Sequence, residues 1–278
     1  PHQPGPESFS KGDLAQSWLQ RDAFLIVAHT EQLHQLPDWA KQNPRWSIRL
    51  SSHFTTTPKL SRFRASVFFD DKIDVFDQPR AKGNIFVVDT SDLKSTCRQY
   101  LGKKRLLPYN DLQTRRTIEL AKHICFRSQK HDSEIGIIVP FQGTTLFTRL
   151  QLRLQGIRHV EVGTPQIFQG RRKKVIIFDT TMAGVDYTMR QLDDKKIGEH
   201  RVARLLSAIF SCVEEDLYVV ADFSHFTSVY RDRLLTKVLL LLRAQADSLP
   251  PFAATAKQFD NLDWDSREQF LSLQHAAG

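Results

Sequence analysis

The stretch that decides the fold is Val160 to Thr181, which reads Val-Glu-Val-Gly-Thr-Pro-Gln-Ile-Phe-Gln-Gly-Arg-Arg-Lys-Lys-Val-Ile-Ile-Phe-Asp-Thr-Thr. Its apolar ends predict strands at residues 159–163 and 175–179, joined by a turn, a short helical segment and the basic residues Arg171 to Lys174. A nearly continuous apolar strand such as the second is typical of a parallel sheet that is buried on both faces. Ligands of such sheets bind at the edge where the strands end, so this stretch also predicts a functional site.

Further strands and helices alternate on both sides of this stretch. Strands are predicted at residues 23–28, 48–50, 84–89, 134–139 and 217–222, and helices at 14–21, from Pro58 onward, and at 110–127, 144–154, 200–213 and 224–246. The polar segments 90–109 and 182–199 predict loops. This alternation predicts an α/β fold with a three-layer parallel sheet, most like a RecA-type domain.

The composition favours a polyanionic partner. The formal net charge of the 278 residues is +8, which favours nucleic acid before a membrane surface. A basic surface that serves only solubility is the alternative.

The sequence predicts an intracellular protein (cytoplasmic, or nuclear in a eukaryote) without a metal site. The three cysteines have no metal-binding spacing and the ten histidines are scattered. The longest apolar run, Val238 to Leu242, is far shorter than the roughly 20 residues that span a bilayer, so no membrane partner is expected. No signal peptide is recognisable. Because the first residue is Pro1 rather than Met, we expect a piece of a longer chain.

The central stretch resembles motif V of superfamily 1 helicases of the nonsense-mediated-decay type. In that motif a strand leads to a Thr, then to Phe-Gln-Gly-x-Glu and a second apolar strand. The matching residues are Thr164, Phe168, Gln169, Gly170 and Arg171. Gln166 stands where the family has Asp, and Arg172 where it has Glu.

Other stretches keep the pattern of the same family. Residues 54–73 resemble its passage Gln-Tyr-Arg-Met-x-Pro and the helix that follows, with matches at Phe54, Pro58, Leu60, Ser61, Phe63, Ser66, Phe68, Phe69 and Ile73. Residues 135–141 resemble its Ile-Gly-Ile-x-Thr-Pro-Tyr element, with Val139 for Thr and Phe141 for Tyr. Gln32 and Leu33 match part of motif III. The resemblance covers residues 24–222.

The resemblance implies the second RecA-like lobe of such a helicase without a Walker A motif. No Gly-x-x-x-x-Gly-Lys-Ser/Thr sequence occurs, and Leu101-Gly-Lys-Lys-Arg105 lacks the first glycine and the hydroxyl of that phosphate-binding loop. We therefore expect a lead-in with a remnant of the motif III region at residues 1–45, the lobe at 46–246 and a tail at 247–278.

The resemblance also implies that the nucleotide side has degenerated. The second lobe of such helicases supplies arginines that stabilise the transferring phosphoryl group. Thr55 and Cys212 align with these arginines, and Arg172 aligns with the motif V Glu that faces the nucleotide. Neutral side chains cannot replace a guanidinium, so no catalytic residue is expected in this chain. In a shifted alignment a nearby arginine would serve instead: Arg62, Arg201 or Arg204.

The resemblance is better preserved at the positions that contact nucleic acid in the family. In the family, the Thr-Pro-Tyr turn and the motif V Thr touch a single-stranded backbone, which implies the following contacts here: Pro140, Phe141, Thr164, Arg171, Arg172, Lys173 and Lys174. A groove with a hydroxyl, an aromatic ring and cations suits phosphates and stacked bases. The alternatives are that Phe141 packs in the core and that the basic run is a solvated loop. Asp179 and Asp222 end strands, and we expect them to cap helices rather than bind a metal.

We therefore expect a helicase-like lobe of a larger protein that binds single-stranded DNA or RNA and is inactive in ATP hydrolysis by itself. No cofactor is expected in this chain, and ATP and Mg²⁺ would bind only with a first lobe, upstream or on another chain. The alternatives are the second lobe of an active ATP-dependent helicase and a protein–protein scaffold without a nucleic-acid role.

Overall fold

The computed structural model describes residues 42–43, 52–53, 56–69, 74–75, 83–101, 106–127, 131–183 and 192–249. The chain divides into two compact units, residues 1–51 and 52–278, and every element below belongs to the second. The strands and helix predicted before residue 52, and the tail beyond residue 249, lie outside the described residues. The predicted limits of lead-in, lobe and tail stay predictions.

Strands and helices alternate along the described chain. In order they are β1 (Ser52–His53), α1 (Pro58–Phe68), β2 (Asp74–Val75), β3 (Ile85–Asp89), β4 (Arg98–Leu101), β5 (Leu106–Tyr109), α2 (Asp111–Arg127), β6 (Ile135–Ile138), α3 (Gln142–Leu154), β7 (Glu161–Gly163), α4 (Pro165–Phe168), β8 (Lys173–Asp179), α5 (Asp194–Ile197), α6 (Glu199–Ser211), β9 (Val213–Ala221), α7 (Phe223–Val229) and α8 (Leu234–Ala244). Short 3-10 helices cover Ser91–Leu93 and Asp132–Glu134. Within these ranges no helix has both the length and the apolar content that crossing a membrane requires.

The fold is α/β, with a five-stranded sheet in the order β3–β9–β8–β6–β7. All neighbouring strands in it are parallel, which confirms the predicted fold class. A two-stranded parallel pair (β1–β2) and an antiparallel hairpin (β4–β5) lie outside this sheet.

Helices cover both faces of the sheet because its strands are apolar on both sides. In β8, Ile176 and Phe178 join one core cluster and Val175 and Ile177 join the other. The first cluster includes side chains of α1, α6, α7 and α8, and the second includes side chains of α2 and α3. Each fully buried side chain of this size contributes about 1.5–3 kcal/mol relative to exposure.

Three predictions about the elements are wrong in part. Residues 98–109, predicted as a loop, form the hairpin β4–β5. The predicted loop 182–199 contains α5. The predicted helix 224–246 is two helices, since Arg233 and Leu234 bind Asp193 and Asp194 and the chain turns there. These differences depend on partners distant in sequence, which local polarity does not reveal.

Candidate nucleic-acid interface

The structure separates the predicted nucleic-acid contacts into two groups. Pro140, Phe141 and Thr164 follow the carboxyl ends of β6 and β7, whereas Arg171 to Lys174 lead into the amino end of β8. β6 and β8 are parallel and paired along the whole of β6. The two groups therefore lie at opposite edges of the sheet, roughly 17–20 Å apart along the strands at about 3.3 Å per residue. The structure does not bring them into the single groove that the sequence predicted.

The carboxyl edge presents a hydroxyl but little aromatic surface. Phe141 is 8% exposed and belongs to the core cluster of α1, α6, α7 and α8, so its ring offers little area to a base. Pro140 is buried as well. Thr164 is partly exposed, and its side chain makes no capping hydrogen bond although it holds the N-cap position of α4.

The amino terminus of α3 also lies at the carboxyl edge. Its N-cap is Phe141, whose ring has no acceptor atom, and its first turn contains no acidic residue. The first N–H groups of a helix have no acceptor within the helix and carry partial positive charge. Such a terminus suits a phosphate group.

A buried polar network around Asp179 lies at the end of β8. Its carboxylate accepts hydrogen bonds from Gln113 Nε2 (2.8 Å), Thr117 Oγ1 (2.7 Å) and the Thr181 N–H (2.7 Å). Burial raises the pKa of Asp179, and these hydrogen bonds partly offset the rise. Asp179 therefore ties β8 to α2 through side chains and does not cap a helix as expected.

Two further observations concern this edge. Thr181 has a φ of 63°, in the left-handed region that a β-branched residue rarely adopts. Asp222 accepts a hydrogen bond from the His225 N–H (2.9 Å) at the start of α7, which confirms the capping role expected for it. Among the described residues, no three or more His, Cys, Asp and Glu side chains are grouped so as to hold a metal.

At the amino edge, the first part of the basic run is paired with Glu161 of β7. Arg171 forms an ion pair with Glu161, and Lys173 Nζ lies 3.3 Å from a carboxylate oxygen of the same residue. Lys173 Nζ also donates a hydrogen bond to the Ser133 main-chain oxygen (2.7 Å). These cations therefore hold the amino ends of β6, β7 and β8 together.

The other two cations of the run also face carboxylates. Lys174 forms an ion pair with Glu134, and the hydrogen bond between them raises the pKa of Lys174. Arg172 Nε lies 3.6 Å from Glu214 of β9, and Glu215 adds negative charge near Lys174. The sequence placed these cations in a loop, but their acidic partners come from other elements.

Cys212, aligned with a family arginine, is a core residue. It is 2% exposed, and its Sγ donates hydrogen bonds to the main-chain oxygens of Phe168 (3.3 Å) and Ala208 (3.2 Å). Burial raises the pKa of the thiol, partly offset by Ser211 and by the charge of Arg64. The group is therefore neutral and points into packed protein. Thr55 lies outside the described residues.

Arg64 of α1 is not among the site residues predicted from the sequence. Its guanidinium is buried and donates a hydrogen bond from Nη2 to Ser207 Oγ (3.1 Å). Burial lowers its pKa to about 10, partly offset by Cys212. Its spacing from Leu60 and Val67 in the sequence puts all three residues on one face of a helix, and this spacing is the signal that could have predicted the burial of Arg64. The arginines named for a shifted alignment are exposed on α1 and α6: Arg62, Arg201 and Arg204.

The chain matches a family model and is similar to a solved structure. A model of the family AAA_12, described as an AAA domain, matches residues 33–223, which is more than half of the 278 residues. A matching solved structure is the C-terminal domain of a possible DNA helicase from Lactobacillus plantarum WCFS1. It is 12% identical, the match covers 60% of this chain and 86% of that chain, and the TM-score is 0.36. No curated protein sequence matches the chain.

Proposed function

The chain belongs to the AAA_12 family of AAA domains, the C-terminal RecA-like lobe of superfamily 1 helicases of the nonsense-mediated-decay type, and from this we propose a specific role. It is a nucleic-acid-binding lobe of a larger protein, and it has lost its own part in ATP hydrolysis. Its partners are single-stranded DNA or RNA and a first RecA-like lobe, upstream or on another chain. ATP and Mg²⁺ bind only where that first lobe supplies their site.

One observation supports the proposed loss of catalysis: Cys212, which the sequence aligns with an arginine finger, is a buried thiol. Such a finger places a permanent positive charge against the transferring phosphoryl group and is worth roughly 10³–10⁵ in kcat. Cys212 is neutral and bonded to main-chain oxygens of the core. It has neither the charge nor the exposure for that role.

The surroundings of Cys212 support the same proposal. Three acidic residues follow Cys212 and Val213 in the sequence: Glu214, Glu215 and Asp216. Carboxylates so close to residue 212 repel a phosphate group. Arg172 stands where the family has Glu and lies beside Glu214, so its charge is directed to the protein itself. For Thr55, which lies outside the described residues, the proposed loss of an arginine rests on the sequence alone.

We assign nucleic-acid binding to the carboxyl edge. There the partly exposed hydroxyl of Thr164 and the uncapped amino terminus of α3 are groups that bind phosphate oxygens. Pro140 and Phe141 shape the start of α3 rather than stack on bases. The basic run contributes less, because its four cations face Glu134, Glu161, Glu214 and Glu215 and the local charge is close to zero.

An ATPase assay on the full-length protein that contains this chain tests the catalytic part. We expect turnover that single-stranded RNA or DNA does not stimulate and that Arg201→Ala and Arg204→Ala leave unchanged. Both arginines are exposed on α6, which is the observation that favours an active helicase. Stimulated turnover that disappears in either variant would establish that second function.

A binding assay tests the nucleic-acid part. We expect the anisotropy of labelled oligo(U) or oligo(dT) to report binding whose log K falls linearly with log salt concentration. Absence of binding at low salt would overturn the proposal and leave the protein–protein scaffold.

A further inference from the structure

The helix α8 is apolar on its exposed side as well as on its buried side. Its inner side packs into the first core cluster through four residues: Leu235, Val238, Leu239 and Leu242. Its outer side, which we call the α8 ridge, consists of four exposed residues at helical spacing: Lys237, Leu240, Leu241 and Ala244. Leu240 is 43% exposed and Leu241 is 46% exposed. A helix that is apolar on all sides is usually buried on all sides, so the α8 ridge is typical of a surface that another segment covers.

The charged residues around the ridge are mostly cationic. Residues 231–246 contain three exposed cations and one exposed carboxylate: Arg231, Lys237, Arg243 and Asp232. Arg243 is directed to Asp89 (Nη1 to Oδ2, 3.3 Å) and lies over the ring of Phe223, whereas Lys237 lies on the ridge itself. An apolar surface that carries a positive charge suits an amphipathic helix with acidic residues beside its apolar side.

The chain that follows α8 starts close to this ridge. The Asp247 N–H donates to the Ile85 oxygen (2.7 Å), and Asp247 Oδ2 accepts a hydrogen bond from the Ile85 N–H (2.8 Å). Ile85 belongs to the same core cluster as the inner side of α8. An extended chain from residue 249 to residue 258 spans at most about 30 Å. Because α8, with 11 residues, is only about 16 Å long, a segment that begins at residue 258 can reach the ridge.

Residues 258–273 have the sequence that such a partner requires. They read Gln-Phe-Asp-Asn-Leu-Asp-Trp-Asp-Ser-Arg-Glu-Gln-Phe-Leu-Ser-Leu, with four acidic residues and one basic residue. At the helical period of 3.6 residues, four apolar residues fall on one side: Phe259, Leu262, Phe270 and Leu273. The placement of this segment lies outside the described residues.

We propose that residues 258–273 form an amphipathic helix that docks on the α8 ridge of the same chain. Its apolar side covers Leu240 and Leu241, and its acidic residues lie near Lys237. Because the segment is tethered at residue 249, its effective concentration at the ridge is in the millimolar range, and a small apolar contact is enough to hold it. This docking is independent of nucleic-acid binding.

Hydrogen exchange of the amides in residues 258–273 of the full chain, measured by mass spectrometry, tests the proposal. In the wild type we expect exchange at least roughly tenfold slower than in a free peptide of the same sequence. We expect Leu240→Gln with Leu241→Gln, the ridge variant, to remove most of this protection. The matched control is Leu112→Gln with Leu154→Gln, which changes two exposed leucines on α2 and α3 and should leave the protection unchanged.

Two further changes separate docking from folding of the lobe. Phe270→Gln with Leu273→Gln alters no described residue, and we expect it to remove the protection of residues 258–269. Lys237→Glu reverses an exposed charge on the ridge, and we expect the segment to exchange roughly threefold faster, whereas it exchanges as in the wild type when the charge is kept by Lys237→Arg.

Three results would overturn the proposal. The first is exchange of the wild-type segment at the rate of the free peptide. The second is equal protection in the wild type and the ridge variant, or the same loss of protection in the ridge variant and its control. The third is a wild-type dimer in light scattering that the ridge variant does not form, together with an unprotected segment, which would place a second copy of the chain on the ridge.

Discussion

The Sγ atom of Cys212 donates a hydrogen bond to the main-chain oxygen of Phe168 over 3.3 Å. This contact joins the residue that follows α6 to α4. Phe168 is fully buried, so residue 212 faces the interior of the lobe. The Cys212 side chain is therefore part of the core packing.

An arginine at residue 212 should damage the fold. We expect Cys212→Arg to lower the free energy of unfolding by about 3–5 kcal/mol, because it buries an uncompensated charge close to the Arg64 guanidinium. Urea unfolding measures the change, and Cys212→Ala is the control, with an expected loss of about 1 kcal/mol. A stable Cys212→Arg protein that gains ATP turnover would contradict the core placement.

Asp179 should make stability depend on pH. Its folded pKa lies above the ordinary value of 3.8, so between these two values the folded state binds more protons than the unfolded state. Stability therefore falls as pH rises through this window, by at most about 1.4 kcal/mol per pH unit. We expect Asp179→Asn to abolish this component, as measured by the difference between wild-type and variant urea unfolding along a pH series.

Asp179→Ala is the control for that experiment. It leaves Gln113 and Thr117 without their acceptor, which costs about 1–3 kcal/mol at every pH. A wild-type minus Asp179→Asn difference that is constant with pH would show that Asp179 does not titrate in this range.

Thr181 should tolerate glycine better than its neighbour does. Its φ of 63° costs an ordinary residue roughly 1–2 kcal/mol, and glycine removes that cost while keeping the N–H bond to Asp179. We expect Thr181→Gly to be at least as stable as the wild type in urea. Thr180→Gly, without a positive φ, should lose about 1–2 kcal/mol through its buried hydrogen bonds. Equal losses of stability in the two variants would exclude backbone strain at Thr181 as the reason for the predicted difference.

Gly136 of β6 should not accept a methyl group. A Cβ there would lie 2.7 Å from Phe168 and 2.8 Å from Ile176, which predicts a loss of about 1–3 kcal/mol for Gly136→Ala from overpacking. The same substitution in a Phe168→Leu background should cost less, because the nearer contact is gone. Denaturant unfolding of all four proteins gives the coupling, and an additive result would exclude this clash.

Charge reversal of the basic run should weaken nucleic-acid binding only slightly. The sequence interpretation predicts that Arg171→Glu with Lys173→Glu weakens binding. The shared ion pairs with Glu161 predict only a small loss of affinity, together with a lower melting temperature. Anisotropy titrations and thermal unfolding measure the two. A loss of affinity of roughly tenfold or more at low salt would assign the contact to the run.

Several elements were predictable because their signals are local. The helix from Asn110 is a clear example: the Asn110 side chain accepts a hydrogen bond from the Gln113 N–H (3.1 Å), and α2 begins at the next residue. The strands at β6 and β8 were found from their apolar runs. The hairpin β4–β5 was missed because its stability depends on Thr144 and Phe147, which lie on another element.

The sequence by itself determined the α/β class and most strands of the parallel sheet, because apolar periodicity and caps act within a few residues. Only the tertiary structure decided that Thr164 and the basic run lie at opposite edges of the sheet. It also decided that Cys212 is buried and that Glu134, Glu161 and Glu214 face the cations. These relationships depend on strand order and register, which bring together residues that are far apart in the chain.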